Sequence, residues 1–264
     1  MTTLFEINNY RTWPEDSVFP GHGAPFFAEH LARYKHAIAF VENKTVLELA
    51  SGKGYGSYLL SNYCKSIIGI DLNEESLDFA SRNYINSNLK FTKQDVTKLA
   101  SLDQKFDVII AFEIIEHIQP EQTEQFLKGI SNTLKENGCL LISTPNHEVV
   151  LKSQMPVPDF HINNFKAIEL YGALTKFFTK TEMLGQFKTK GLIKDFIFAL
   201  DCFNLRHNPL TRLLRRKPQV TKLETFIDHS KPWKIEDGWG EAGNYVFSKN
   251  CWRQAGETLA ICQK

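Results

Sequence analysis

From residue 44 to 144 the apolar positions follow two alternating rhythms. Short apolar, β-branched runs recur as TVLELA (45–50), SIIGID (66–71), FDVIIAF (106–112) and CLLIST (139–144), and LKFTKQ (89–94) alternates more weakly. Each reads as a strand. Between them GSYLLSNYC, EESLDFASRNYI and PEQTEQFLKGISNTLKE read as helices. Asn73 is placed to cap the second helix, Pro120 to open the third and Gly138 to end it. Strands separated by helices require crossover connections, so the pattern predicts a parallel sheet covered on both faces.

The flanks differ. In APFFAEHLARYKHAIAF (24–40), Phe27, Leu31, Tyr34 and Ile38 recur at helical spacing. Such a helix either packs on the sheet edge or closes as a lid over a ligand. After residue 145 come a predicted helix, NNFKAIELYGALTKFF, and a strand, TKTEMLGQF. Residues 188–248 read as irregular, with Pro209, Pro218 and Pro232, before a closing strand in GETLAICQK. A length of 264 residues suits one large α/β domain. We expect a single domain over 1–264, with a lid segment at 1–43 and an acceptor-binding insert at 188–248.

Composition adds few constraints. A formal net charge of +1 argues neither for nor against a polyanionic partner. No apolar run approaches a membrane-spanning length, and MTTLFEINNYRTWPED has no signal-peptide pattern. Five scattered cysteines without a CxxC pair predict reduced thiols in a cytoplasmic protein, with neither a zinc site nor a disulfide framework. LTRLLRRKP (210–218) reads as a solvated basic helix face, or secondly as a contact for an anionic substrate or membrane surface.

The chemistry concentrates in VLELASGKGYG (46–56), where a strand runs straight into a glycine-rich turn. Glycines there let a ligand approach the backbone closely. In a dinucleotide site the turn reads G-x-G-x-x-G and holds a pyrophosphate. Here the glycines are Gly52, Gly54 and Gly56, with Ser57 at the third fingerprint position, and no P-loop pattern occurs. Glu48, just ahead, would repel a pyrophosphate and suits a ligand carrying an ammonium and a sulfonium. S-adenosylmethionine has both, a ribose diol and no phosphate. Asp71, 19 residues after Gly52, can accept the ribose hydroxyls. Asp95, after the third strand, is placed for the adenine amino group, and Val96 for its ring.

On these residues the chain resembles the class I S-adenosylmethionine-dependent methyltransferases. ELASGKG matches their E/D-x-G/A-x-G-x-G motif, with Ala50 at a position where glycine is commoner, and IGID, KQDV and FDVIIAFEIIEHI match later motifs in order. The resemblance covers roughly residues 25–187 and the last strand. It implies a Rossmann-like α/β fold with seven strands ordered 3-2-1-4-5-7-6, the last antiparallel. It also implies S-adenosylmethionine as cofactor, S-adenosylhomocysteine as product, and a site lined by Ala50, Leu72, Phe112 and Glu113. Arg33 on the N-terminal helix either pairs with the cofactor's methionine carboxylate or lies on the surface. STPNHEVV…PDFHINNF and EHLARY resemble bacterial methyltransferases associated with surface polysaccharide and other glycans, with ubiquinone-pathway O-methyltransferases as looser relatives.

Methyl transfer is an in-line displacement, so alignment and exclusion of water dominate. A sugar or alcohol hydroxyl is a poor nucleophile, and a general base typically contributes about 10²–10⁴-fold. His117, after the fourth strand, and His161, after the fifth, are the candidates; each has a plainer reading, as a helix-start or loop-fixing residue. His22, His30 and His36 read as structural or surface residues. No acid cluster calls for a metal. The loop after strand four reads EIIEH and not D/N-P-P-Y/F, which argues against nucleobase amines, and no basic–aromatic stripe suggests nucleic acid. The leading expectation is O-methylation of a sugar or glycan hydroxyl. A quinone or other small-molecule acceptor comes second, a non-catalytic cofactor-binding protein third and a dehydrogenase last.

Overall fold

Strand alternation divides the interior into two apolar layers, one on each face of the sheet. Along β1 (Thr45–Leu49), Val46 joins one layer while Leu47 and Leu49 join the other. In β4 (Phe106–Phe112), Val108, Ile110 and Phe112 face the first layer and Ile109 and Ala111 the second. Period-two patterning produces this because successive side chains leave a strand on opposite faces. A computed structural model describes residues 24–153, 157–188, 242–250 and 252–264. His22, Cys202, Cys251, Trp233, Trp239, the basic patch at 210–218 and most of the expected insert lie outside the described residues.

The remaining strands are β2 (Ser66–Asp71), β3 (Leu89–Lys93), β5 (Leu134–Pro145), β6 (Lys180–Lys188), β7 (Tyr245–Ser248) and β8 (Glu257–Gln263). The sheet order is β3-β2-β1-β4-β5-β8-β6-β7. The first five strands are parallel, and β8 runs antiparallel between β5 and β6. The expected seven strands are therefore corrected to eight. The additional one is β7, which extends the edge antiparallel to β6, pairing Gln186 with Phe247. It falls within the region read as irregular because four residues, YVFS, are too few to display a period.

The first layer is closed by α1 (Ala24–Val41) and α2 (Tyr55–Ser61), the second by α4 (Thr123–Thr133) and α6 (Ala167–Leu174). Helix α1 lies on the sheet face and not at its edge: Leu31, Tyr34 and Val41 pack with Leu141, Leu184 and Leu259 from the central strands. Helix α3 (Glu74–Asn83) starts as expected, with the Asn73 side chain accepting from the Ser76 N–H at 3.0 Å. Pro120 opens a 3-10 turn that leads into α4, and α4 ends at Thr133, earlier than the sequence pattern suggests. A short helix that the periodicity did not reveal, α5 (His147–Ser153), follows β5.

Candidate active site

The carboxyl ends of the parallel strands converge on one rim, where open α/β sheets bind ligands. At the end of β1 the chain turns through Ala50, Gly52 and Gly54, all at positive φ (53°, 51° and 84°). A Cβ on Gly54 would lie 2.5 Å from the Phe91 ring, so this position requires glycine. At Gly52 a Cβ would meet nothing within 4 Å, and the turn is therefore open to a ligand there. Asp71 fastens the turn. Its Oδ2 accepts the Gly52 N–H and its Oδ1 the Asn73 N–H, both at 2.8 Å. Each carboxylate oxygen keeps a further lone pair, enough to accept a diol. Burial raises the Asp71 pKa, and the backbone N–H groups oppose that shift.

Asp95 caps the 3-10 helix after β3, accepting from the Thr97 N–H and hydroxyl at 2.9 and 2.6 Å. Burial pushes its pKa up, but these bonds and Lys98, at 3.2 Å, win and lower it. Leu72 and Ala50 are half-buried at the rim. Val96 is buried in the second apolar layer, and Phe112 in the first, edge-on to Tyr34 at 5.3 Å.

Glu48 behaves differently from its expected contact with a ligand ammonium. Two residues after Val46 on the same strand, it points to the same face, under α1. Its carboxylate accepts the Tyr34 hydroxyl (2.5 Å) and the Ser57 hydroxyl, joining α1, β1 and α2. A Cβ on Gly56 would overlap the Tyr34 ring, so this glycine leaves the room through which Tyr34 reaches Glu48. Burial raises the Glu48 pKa to about 7, against the two hydroxyl bonds that favour the charged form.

Arg33 is not a surface residue: it is 1% exposed. Its guanidinium donates to Gln186 Oε1 at 2.8 Å and lies 3.8 Å from both Glu113 and Glu257. Burial works to lower its pKa, yet Glu113, Glu257 and Glu29 outweigh it and raise the pKa. Glu113 follows β4 at φ 53°, with Oε1 accepting the Ser143 hydroxyl at 2.6 Å. Non-glycine residues in this region concentrate at functional sites.

The two histidines do converge. The rings of His117 and His161 stand edge to face at 5.0 Å, and His117 stacks on Phe160 at 5.5 Å. His117 Nδ1 lies 3.3 Å from the Phe160 carbonyl, which can only accept, so this nitrogen carries the proton. The loop is pinned further by the Asn163 N–H donating to the Glu116 carbonyl at 3.0 Å. Burial, then the neighbouring His161, hold the His117 pKa down at about 4. Burial also lowers that of His161, with Glu113 opposing. Both imidazoles are thus neutral at pH 7, and weaker bases than a solvated histidine. Glu116, which the sequence pattern does not single out, completes the group: one ligand atom from each of Glu116, His117 and His161 lies within 4.8 Å of the others. The sequence shows no acid cluster that calls for a metal; the fold brings this mixed set of one acid and two histidines together.

Comparison with known proteins agrees with this geometry. A family described as "Methyltransferase domain" matches residues 40–189. The chain is 28% identical over 169 residues to a "Probable S-adenosylmethionine-dependent methyltransferase" of Mycolicibacterium smegmatis, covering 63% of this chain and 64% of that protein. It is 29% identical over 108 residues to a ubiquinone biosynthesis O-methyltransferase of Coxiella burnetii, covering 40% of this chain and 45% of that one. The chain thus spans less than two thirds of either relative. In fold it is similar to a S-adenosylmethionine-dependent methyltransferase from Archaeoglobus fulgidus, with a TM-score of 0.59 and 18% identity over 95% of this chain and 98% of the other. Among the described residues no helix is long and apolar enough to cross a membrane.

Proposed function

We propose, from the premise that this chain belongs to the methyltransferase-domain family, that it methylates a hydroxyl oxygen of a sugar or glycan. Methyl transfer from S-adenosylmethionine is the part of this proposal that the family supports, and the acceptor is the part that goes further. One observation carries it. The histidine pair stands after β4 and β5, on the same rim as the glycine turn after β1, and a hydroxyl is the acceptor that needs such a pair. In this reading Gly52, Gly54, Asp71, Leu72 and Asp95 hold the adenosine side of the cofactor, Ala50, Phe112 and Glu113 shape its surroundings, and Arg33 faces its carboxylate. Glu48 acts from below, by fixing the turn. With S-adenosylmethionine bound, the acceptor oxygen would displace sulfur from the methyl carbon, leaving the electron pair on sulfur, and one of the two imidazoles, His161 or His117, would take up the acceptor proton.

The sequence STPNHEVV…PDFHINNF supports the glycan acceptor, whereas likeness to a ubiquinone biosynthesis O-methyltransferase favours a second reading, a quinol or phenol. Transfer of labelled methyl from S-adenosylmethionine to a panel of sugars, nucleotide sugars, catechols and quinols separates them. Labelled sugar is the expected product. Turnover confined to catechols or quinols moves the second reading ahead. Calorimetry should show binding of S-adenosylhomocysteine and none of NAD; the reverse would sink the cofactor site.

A further inference from the structure

The Glu116 carboxylate is 1% exposed and only half used. Its Oε2 accepts the Thr144 hydroxyl at 3.0 Å, while its Oε1 is buried without any hydrogen-bond partner. Leaving a carboxylate oxygen unmatched in so dry a place is unfavourable unless something else satisfies it. One carboxylate oxygen of Glu116 and one ring nitrogen from each of His117 and His161 lie within 4.8 Å of one another. Three donors around one divalent ion stand about 3–4 Å apart at ordinary bond lengths near 2.1 Å. Small side-chain rotations would bring this set to that spacing. The supporting bonds already point the right way. Proton-bearing Nδ1 of His117 faces the Phe160 carbonyl, which leaves the Nε2 lone pair for a ligand, and Thr144 orients the carboxylate. Ligating histidines and carboxylates are ordinarily steadied by such outer contacts.

We propose that Glu116, His117 and His161 bind a first-row divalent transition cation of the Mn²⁺ or Zn²⁺ kind. Two imidazoles and one carboxylate favour that class over Mg²⁺ or Ca²⁺, which take oxygen ligands. Three protein donors leave coordination positions open, as in catalytic and not structural metal sites. This inference rests on the hydroxyl-methylation reading and deepens it. In the metal-loaded site this replaces the general-base role of the two histidines: a cation here would supply positive charge next to the acceptor, so its hydroxyl would ionise more readily and release its proton to water while His117 and His161 serve as ligands.

The full-length protein, stripped with chelator, is titrated with Mn²⁺ while the electron paramagnetic resonance signal of the free ion is followed. One ion per chain is expected in the wild type, with affinity reduced at least tenfold in Glu116→Gln and in His161→Gln. Calorimetric affinity for S-adenosylhomocysteine in the same variants separates loss of metal from loss of fold, and tests the cofactor site independently. In the wild type, substoichiometric Mn²⁺ should broaden the ring-proton resonances of His117 and His161 ahead of those of His30 and His36. Absence of Mn²⁺ and Zn²⁺ uptake by the wild type, uptake undiminished in both variants, or broadening that spares His117 and His161 overturns the proposal.

Discussion

At the scale of single residues, the site is built from side chains that hold its backbone in place. Asp71 shows this most directly. Its two oxygens already accept two backbone N–H groups, so it shapes the turn whether or not a ribose is present. Asp71→Ala should lower affinity for S-adenosylhomocysteine by about 10- to 150-fold, the equivalent of roughly 1.5–3 kcal/mol for a bond to a charged acceptor. It should also lower the urea midpoint, because the Gly52 and Asn73 N–H groups lose their acceptor. Unchanged affinity with lowered stability would confine Asp71 to the turn. Ala50 presents the opposite case. Its φ of 53° strains an L-residue by about 1–2 kcal/mol. Ala50→Gly relieves that strain, while the freer unfolded chain takes back about 0.5–1 kcal/mol. The expected outcome in denaturant melts is a gain of up to about 1.5 kcal/mol, and a loss would show that the Ala50 methyl packs against something that matters more.

At the scale of elements, α1 is fastened to the sheet at polar points inside an apolar layer, through Arg33 at Gln186 and through Tyr34 at Glu48. Tyr34 reaches Glu48 across Gly56, and Ser57 reaches it from α2. Gly56→Ala puts a methyl into the Tyr34 ring, an overpacking that costs typically about 1–3 kcal/mol. The expected result is faster proteolysis and amide exchange in α1, with β4 and β5 unaffected; equal loss of protection across the sheet would mean that α1 is not a separable unit. The sequence revealed this arrangement only in part. The spacing of Phe27, Leu31, Tyr34 and Ile38 shows the helix, but a hydroxyl that bonds a carboxylate in another element leaves no periodic trace. Glu48 was legible as an acid before a glycine turn. Its direction was not, since strand alternation aims it beneath α1 only once Val46 is known to face that layer. The convergence of His117 and His161 was legible because both follow strands that end on one rim. Glu116 was missed because its importance lies in a bond that is absent, which no spacing can display.

At the scale of the whole molecule, the parallel sheet followed from alternating strands and helices and the order of its strands from the family resemblance, whereas the far edge, with β7, followed from neither. Stability should carry the imprint of Glu48. Tyr34 and Ser57 donate to it, Asp71 stands near, and burial lifts its pKa from an ordinary value of 4.5 to about 7. The folded state therefore holds this proton more tightly than the unfolded chain does. The favourable contribution is complete below pH 4.5 and fades as pH rises through 7. Two and a half pH units correspond to about 3 kcal/mol. Denaturant melts from pH 5 to 8 should show this downward slope, and Glu48→Gln, which retains a donor and an acceptor but cannot ionise, should flatten it. An unchanged slope in the variant would assign the effect to other buried acids.

The position of β8 has a consequence for synthesis. It is the last strand along the chain but sits between β5 and β6, bonded to both along its length, from Cys139↔Gln263 to Pro145↔Glu257 on one side and from Lys180↔Gln263 to Gln186↔Glu257 on the other. Until the ribosome has released that segment, β5 has an open edge and β6 has no neighbour through which to join the sheet. The parallel half can assemble while translation continues, but the rest must wait for residues 257–263 to emerge. During that interval an apolar strand edge is exposed to any neighbouring nascent chain, and this is the stage at which a chaperone would find the protein most in need of cover.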